Sequence, residues 1–561
     1  MDSYSWLETG AALLPLLLLA VPLGCYMHKV YERPQTLPRP CRATEGLIYK
    51  MSGVDPNHDM GWKEYAACLL FFNFLGFLAV FMLQMCQNSL PLNPEGLPDA
   101  SWHLSFNTAI SFMTNTNWQS YSGEAVLSFL TQMLGLTVQN FVSAATGMAV
   151  GLALIRGLTR KECPGLGNFW ADLTRGTLFV LLPLAVILAT ILIQQGVVQN
   201  IDHYTAAATL EGGTQIIPSG PAASQIAIKQ LGTNGGGFFG VNSAHPFENP
   251  TPLSNWLEMV SLLLIPAAFL FTFGEMVKSR RQAWTIYLVM FGLLCLGVGL
   301  SLWAEHTGNP HLGGLLLEGK ETRFGVTGSS LWSVFTTAAS NGAVNAMHSS
   351  LTPLGGAIAL FNMMLGEVIF GGVGAGLYGM LLFVLLTVFL AGLMVGRTPE
   401  YLGKKLEGRE MRLVILGIIT PCLFILLATG LSVALPAGLA SLSATGPHGL
   451  SEALYAFVSA GNNNGSAFAG LSANTPYYNV MLGLAMLVGR FGVILPVLGV
   501  AGSLAAKKIT PAGPGAFATD RPLFAVFLTG VILIVGGLTY LPALSLGPIV
   551  EHILMLRGTG F

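Results

Sequence analysis

Four short polar clusters interrupt a largely apolar chain: Thr114-Asn115-Thr116-Asn117-Trp118-Gln119, Gly232-Thr233-Asn234-Gly235-Gly236-Gly237, Ala339-Ser340-Asn341-Gly342-Ala343 and Asn462-Asn463-Asn464-Gly465. From Asn117 to Gly235 is 118 residues, to Gly342 a further 107 and to Gly465 a further 123. A partly dehydrated monovalent cation needs oxygen ligands around it, and rings of backbone carbonyls from four loops supply them in potassium filters. Glycine permits the left-handed or extended conformations that aim successive carbonyls at one axis. Asn, Thr and Ser are expected to bond the backbone amides that then face away, holding the strand open. The clusters hold almost no carboxylate apart from Glu124, just past the first. Neutral dipoles bind K⁺ weakly enough to release it, whereas a carboxylate cage suits Ca²⁺. One such cluster is equally well explained as a Gly- and Asn-rich outer loop. Four at matching places in a repeat are not.

The elements that must carry these clusters are membrane helices. Of 561 residues, 52% are hydrophobic and 9% charged, with mean hydropathy +0.63; soluble domains carry about 25% charged residues. Apolar runs near 9–27, 65–86, 125–154, 177–196, 255–276, 284–303, 411–434, 479–504 and 523–546 meet the length of roughly 20 residues a bilayer requires, and 355–396 does so with unusual length. The fold class is therefore an all-α polytopic membrane protein of about ten spans. Segments 28–63, 156–175, 278–281, 397–412 and 507–521 hold 21 of the 26 Lys and Arg. That bias places them inside, with both termini and the long connections 87–124, 197–254, 304–354 and 435–478 outside. Each outer connection contains a short helical stretch (102–114, 222–232, 327–339, 449–461) before its cluster. Stretches of about 10–14 residues suit re-entrant segments, and non-helical backbone at membrane depth is tolerated only where protein buries it or water wets it. The organisation expected is four pseudo-repeats of span, re-entrant pore loop and span around a central pore, with one extra helix at each end. The boundaries are 1–64 for the N-terminal helix and inner loop, 65–155, 176–277, 284–397 (with a broken second helix) and 411–505 for the repeats, and 523–561 for the last helix.

Other chemistries find no support. A net charge of −1 with no basic stripe argues against a nucleic-acid partner. No GxxxxGK[ST] loop, no Asp-Lys-Thr-Gly phosphorylation motif and no HExxH occur, so an ATP-driven process needs its motor on another chain. Seven scattered cysteines form no CxxC pair and read as small buried hydrophobes. Dispersed histidines such as His103, His245 and His348 read as loop or cap residues. The acidic N-terminus lacks a cleavage site, so the first apolar run reads as a retained span.

Two intramembrane features point to control of an ion. Arg490, in LVGRFGVIL, follows the fourth cluster inside a span, where a charge costs roughly 2.5–3.5 kcal/mol on insertion scales. It is expected below the clusters as a barrier to leakage; a structural ion pair or a snorkelling arginine is the plainer alternative. Gly366-Glu367-Val368-Ile369-Phe370-Gly371-Gly372-Val373-Gly374-Ala375-Gly376 interrupts the overlong span. Glycines destabilise a helix by about 1 kcal/mol each, so a broken helix serving as gate or side exit is expected, with Glu367, Gly371, Gly372 and Gly374 in it. Close helix packing through small residues is the alternative.

SFMTNTNWQSYSGE, LGTNGGGFFGVNSAHPFENP, TTAASNGAVNAMH, NNNGSAFAGLSAN, GRTPEYLGKK and FGVILPV resemble the motifs of the KdpA family, the channel-like A subunits of bacterial potassium-importing ATPases, over nearly the whole chain. Asn341 departs from the pattern, where a smaller residue such as Cys is expected. The resemblance implies a K⁺ filter at Asn115, Thr116 and Asn117; Thr233, Asn234 and Gly235; Ser340, Asn341 and Gly342; and Asn463, Asn464 and Gly465, with Gln119 lining the mouth. It further implies K⁺ as cargo, no organic cofactor, a bacterial inner-membrane location, and delivery of the ion through an intramembrane path. The implied partners are a P-type ATPase catalytic subunit (KdpB-like), a single-span subunit (KdpC-like) and a small membrane peptide (KdpF-like). A self-sufficient K⁺ channel or cation symporter of the same superfamily fits composition and loops equally well, and a transmembrane scaffold or receptor whose loops bind no ion is the third possibility.

Overall fold

The computed structural model describes residues 3–313, 316–396, 398–510 and 517–559; Arg397 of the GRTPEYLGKK stretch and the two chain ends lie outside them. Ten helices among the described residues are long and apolar enough to cross a membrane. In chain order the elements that matter are α1 (Ser3–Glu32), α2 (Arg39–Ser52), α3 (Trp62–Met85), α4 (Trp102–Met113), α5 (Thr131–Thr159), α6 (Phe169–Gln194), α7 (Ala222–Leu231), α8 (Pro252–Met276), α9 (Arg280–Thr307), α10 (Gly325–Ala338), α11 (Pro353–Met364), α12 (Ala375–Met394), α13 (Gly408–Ala434), α14 (Gly446–Gly461), α15 (Pro476–Ala505) and α16 (Pro522–Leu556). Two small antiparallel hairpins, β1–β2 (Thr205–Ala208, Thr214–Ile217) and β3–β4 (Glu400–Tyr401, Lys404–Lys405), are the strands among the described residues.

The short helices α4, α7, α10 and α14 are the re-entrant elements, each ending at a polar cluster. The long helices sort by position in the repeat. The most apolar windows of α5 and α8 are 89% buried and that of α3 only 22%. Helices that follow a cluster therefore stand inside, and most that precede one face outward. Three of the inner helices start in the same way: Thr251, Thr352 and Thr475 accept the amide hydrogens of Ser254, Gly355 and Tyr478, with proline next in sequence. A threonine N-cap followed by proline fixes where a helix leaves a loop.

The structure corrects two spans. The run expected at 125–154 spans Thr131–Thr159, π-helical as far as Thr137 and α-helical from Val138, and the first span extends to Ser3–Glu32. The long run 355–396 is two helices, α11 and α12, parted at Leu365–Gly374. Positive φ at Gly366, Glu367, Phe370, Gly371 and Gly374 breaks the helix there, and no helix continues through such a series. All seven cysteines are unpaired.

Candidate functional site

Each short helix runs into its cluster with one repeated backbone pattern. Asn115 and Asn117, Thr233 and Gly235, Ser340 and Gly342, Asn463 and Gly465 all have positive φ, and the residue between each pair does not. Alternation of hand along a strand turns successive carbonyls to the same side. The opposite edge of each strand is fixed by the residue five positions before its middle. The Ser111 carbonyl accepts from the amides of Thr116 (2.9 Å) and Asn117 (3.1 Å), and that of Lys229 from Asn234 (2.8 Å) and Gly235 (3.2 Å). The Thr336 carbonyl accepts from Asn341 (3.2 Å), and its hydroxyl from Gly342 (3.0 Å). Ser459 does the same for Asn464 (2.8 Å) and Gly465 (2.9 Å). With the amides committed outward, the carbonyls of Thr116 and Asn117, Asn234 and Gly235, Asn341 and Gly342, and Asn464 and Gly465 accept no hydrogen bond among the described residues. Thr116, Asn234, Asn341 and Asn464 have no solvent exposure. Buried carbonyls without partners are costly, and of these eight, drawn from four loops, all but that of Gly465 belong to buried residues; such a set could satisfy a cation.

The side chains take a role that the sequence did not suggest. Apart from the Thr336 and Ser459 hydroxyls, they bind the neighbouring loop more than the strand's own amides. Asn115 donates to the Thr233 carbonyl (2.8 Å), and Asn234 returns a bond to the Asn115 amide oxygen (2.7 Å). Asn341 donates to the Lys229 carbonyl (3.1 Å) and Ser340 to that of Asn463 (2.9 Å). Asn463 donates to the Thr116 hydroxyl (2.9 Å), which closes a ring in the order one, two, three, four. Glycine is required where that ring is tightest: a Cβ at Gly235 would stand 1.8 Å from the Asn341 carbonyl oxygen, and one at Gly465 2.1 Å from that of Thr116.

One quarter of the ring departs from the others. Where Ser111, Thr336 and Ser459 carry hydroxyls, the second repeat has Lys229, fully buried and paired with buried Glu248. The Ser243 hydroxyl lies within hydrogen-bond distance of both Glu248 (2.9 Å) and Glu258 (2.8 Å). Lysine in a re-entrant stretch gives no hint in the sequence of such a partnership; the signal that could have found it is the five-residue offset, at which three of the four residues are Ser or Thr.

Above the ring Gln119 exchanges two hydrogen bonds with the Gly237 backbone (2.8 and 2.9 Å). It lines a vestibule of about 610 Å³ together with Asn117, Gly342, Gly465 and His245. Burial and the Arg323 charge pull His245 down to about 4, and burial alone takes His348 to about 4. His348 shares a hydrogen bond with the Tyr455 hydroxyl, which meets Ser466 beside the fourth loop. Glu124 binds the Gly240 amide (2.8 Å), and burial raises its carboxyl above the usual range.

Below the ring lie the 365–374 break and Arg490. The Gly371 amide donates to the Ala338 carbonyl (2.9 Å) and the Val373 amide to the Thr233 hydroxyl (3.0 Å). A Cβ at Gly372 would fall 3.4 Å from that hydroxyl oxygen and 3.5 Å from Ser340, and one at Gly374 2.1 Å from the Gly147 carbonyl on α5. The break therefore runs directly beneath loops two and three. Arg490 is buried on α15 and donates to the Ser143 carbonyl on α5 (3.0 Å); no carboxylate stands within salt-bridge distance of it among the described residues, and Glu367 is an acidic group that feels its charge. Glu367 interacts with Ser340 and Asn464, leaving one carboxylate oxygen without a hydrogen bond. Both charged groups line one cavity of about 80 Å³, together with Asn463, Cys422 and Tyr540.

Residues 11–553 match the family described as potassium-transporting ATPase A subunit, KdpA. The chain is 58% identical to the potassium-transporting ATPase potassium-binding subunit of Pseudomonas aeruginosa, over 97% of this chain and 98% of that one. It is 56% identical to the protein of the same name from Leptospira interrogans, over 99% of each. The solved structure of the potassium transporter TrkH from Vibrio parahaemolyticus has the same fold, with a TM-score of 0.52 at 14% identity, covering 88% of this chain and 98% of that one. The chain belongs to the KdpA family.

Proposed function

We propose that this chain is the potassium-binding and translocating subunit of an ATP-driven K⁺ import complex. The observation that carries the reading is the ring of carbonyls that accept no hydrogen bond at Thr116 and Asn117, Asn234 and Gly235, Asn341 and Gly342, and Asn464 and Gly465, all on buried residues except Gly465. Replacing a hydration shell by such dipoles selects a weakly hydrated monovalent cation. Asn115, Thr233, Ser340 and Asn463 complete the filter at its lower edge. Gln119 orders the mouth.

K⁺ enters the vestibule, sheds water at the ring and meets the Arg490 guanidinium and the 365–374 break below it. Those two obstruct a straight path, and the cavity at Glu367 leads sideways between α13, α15 and α16. The ion passes there to a P-type ATPase catalytic subunit, which supplies the hydrolysis that this chain has no motif for. A single-span subunit and a small membrane peptide complete the complex, in a bacterial inner membrane with both termini outside; the basic loops at the opposite end of the bundle support that orientation.

Equilibrium binding of ⁸⁶Rb⁺ to the detergent-purified complex tests the site: K⁺ should displace the label and Na⁺ should not. Absence of saturable binding would remove the proposal. Copurification of a P-type ATPase chain separates it from the self-sufficient channel or symporter, which needs none.

A further inference from the structure

At the end of the bundle away from the clusters, the β3–β4 hairpin points Lys404 inward, and its side chain has no solvent exposure. The ammonium donates to the carbonyls of Gly157 (2.9 Å), Leu504 (2.5 Å) and Arg160. An ammonium has three N–H donors, so all three are used. These carbonyls, its hydrogen-bond partners among the described residues, lie at the ends of two helices: Gly157 in the last turn of α5, Arg160 at its C-cap, and Leu504 in the last turn of α15. The negative ends of two helix dipoles take the place of a carboxylate.

The two helices make this placement consequential. α5 follows the first filter strand and α15 the fourth, so they meet at the seam where the ring of repeats closes without a chain connection. Arg490 bridges that seam near the filter through the Ser143 carbonyl. Further down the backbones touch, since a Cβ on Gly157 would lie 2.6 Å from the Ala501 carbonyl oxygen. Lys404 lies at the end. Its hairpin is anchored: Thr510 donates to the Gly403 carbonyl (2.9 Å), and Lys507 donates to the Lys405 carbonyl (2.9 Å) while pairing with Glu407 and Glu410.

A bare trio of carbonyls at the converging ends of two helices is itself attractive to a small monovalent cation. We propose that Lys404 is a built-in cation that seals the seam between repeats four and one, drawing α5 and α15 together and occupying the oxygens that would otherwise invite K⁺ to leave straight through. It is a positioning residue, remote from the filter, and the inference rests on the reading of the chain as a K⁺ translocator. The charged groups around it are Lys507, held by Glu407 and Glu410, and Arg160, held by Asp59. Burial and the Lys507 charge lower Lys404 to about 8. The clasp is therefore charged at pH 7, and one donor and the charge are lost as pH rises through that value.

The test uses the whole complex in proteoliposomes, comparing Lys404→Met with Lys405→Met, a matched change at the exposed neighbour. Lys404→Met should raise passive ⁸⁶Rb⁺ flux about tenfold and lower the Rb⁺ moved per ATP, with half-saturating Rb⁺ unchanged; a merely structural lysine would lower yield without moving that ratio. Wild-type leak should rise as the pH at the basic face goes from 7 to 9, and should not change with pH in Lys404→Met. Vesicles of Lys404→Met as tight as those of Lys405→Met overturn the proposal. If the variant fails to assemble, the wild-type profile decides, and a flat one overturns it. A wild-type complex that binds no Rb⁺ would instead sink the potassium reading itself.

Discussion

Repeats three and four begin alike and part at one position. Both run a short helix into a strand with the same alternation of hand, both tie that strand back to a hydroxyl residue five positions earlier, and both resume at a Thr-Pro cap. Counting 27 residues from Ser340 reaches Glu367, and the same count from Asn463 reaches Arg490. In the fourth repeat that place lies within an unbroken helix and carries a cation; in the third it lies in a run of positive φ and carries a carboxylate. One scaffold has two endings below the same ring, a buried arginine on a continuous helix and a run of positive φ; under the proposal above the first is a fixed obstacle and the second a segment that rearranges. The upper half of the molecule is built by repetition and the lower half by departure from it.

The contrast sets an order of expected effects. A change within the shared part should be the most severe. Gly235→Ala forces a Cβ at φ +98 against the Asn341 carbonyl; the left-handed penalty alone is about 1–2 kcal/mol, and with the displaced oxygen Rb⁺ affinity should fall about 100-fold in equilibrium binding. Arg490→Gln changes the fourth ending alone. Passive Rb⁺ flux through the assembled complex should rise about tenfold with affinity nearly unaltered, and an unchanged leak would erase the distinction between the endings. In the third ending, Gly371→Ala meets the Glu367 carbonyl at 2.1 Å with φ +64. Transport rate should drop about fivefold while Rb⁺ binding survives, and a cross-link across 366–374 should stop transport altogether; full transport with the loop locked would contradict its role as a gate.

Smaller effects sharpen the repetition. Ser459→Ala removes a hydroxyl that holds the Gly465 amide, worth about 1 kcal/mol, so Rb⁺ binding should weaken about fivefold. Ser111→Ala should do less, because that hydroxyl binds the Trp118 carbonyl instead. The smallest expected effect is none: His245 and His348, held at about 4, stay neutral between pH 6 and 8, so replacing either with Gln should leave the pH profile of Rb⁺ affinity over that range unchanged.

The positions of the four clusters, the short helices before them and the third-repeat break were legible, because glycine runs and amide clusters stand out against apolar surroundings. The span–loop–span plan followed from length and hydropathy. What stayed hidden is non-local. Asn463 meets Thr116 across 347 residues, and no local pattern reveals which loops are neighbours. The alternation of hand was hidden too, since Asn115, Thr233, Ser340 and Asn463 adopt it without being glycine. Lys404 sits in a basic stretch indistinguishable from the other basic loops, although its ammonium is bound by three backbone carbonyls. Even the side-chain chemistry expected of the clusters was half right: hydroxyls at Thr336 and Ser459 do hold amides, but the asparagines mostly stitch one loop to the next.

Lys229 at a single quarter of the ring has a consequence for how such a pore can be tuned. A channel assembled from identical subunits repeats every substitution four times, so a lysine introduced behind one strand would arrive behind all four and abolish the site. A single polypeptide can dose the change at one wall. Here one wall holds the buried Lys229–Glu248 pair while three keep neutral hydroxyls, so an ion held at the proposed site would feel a lopsided field, whose strength could be altered at one wall without changing the other three.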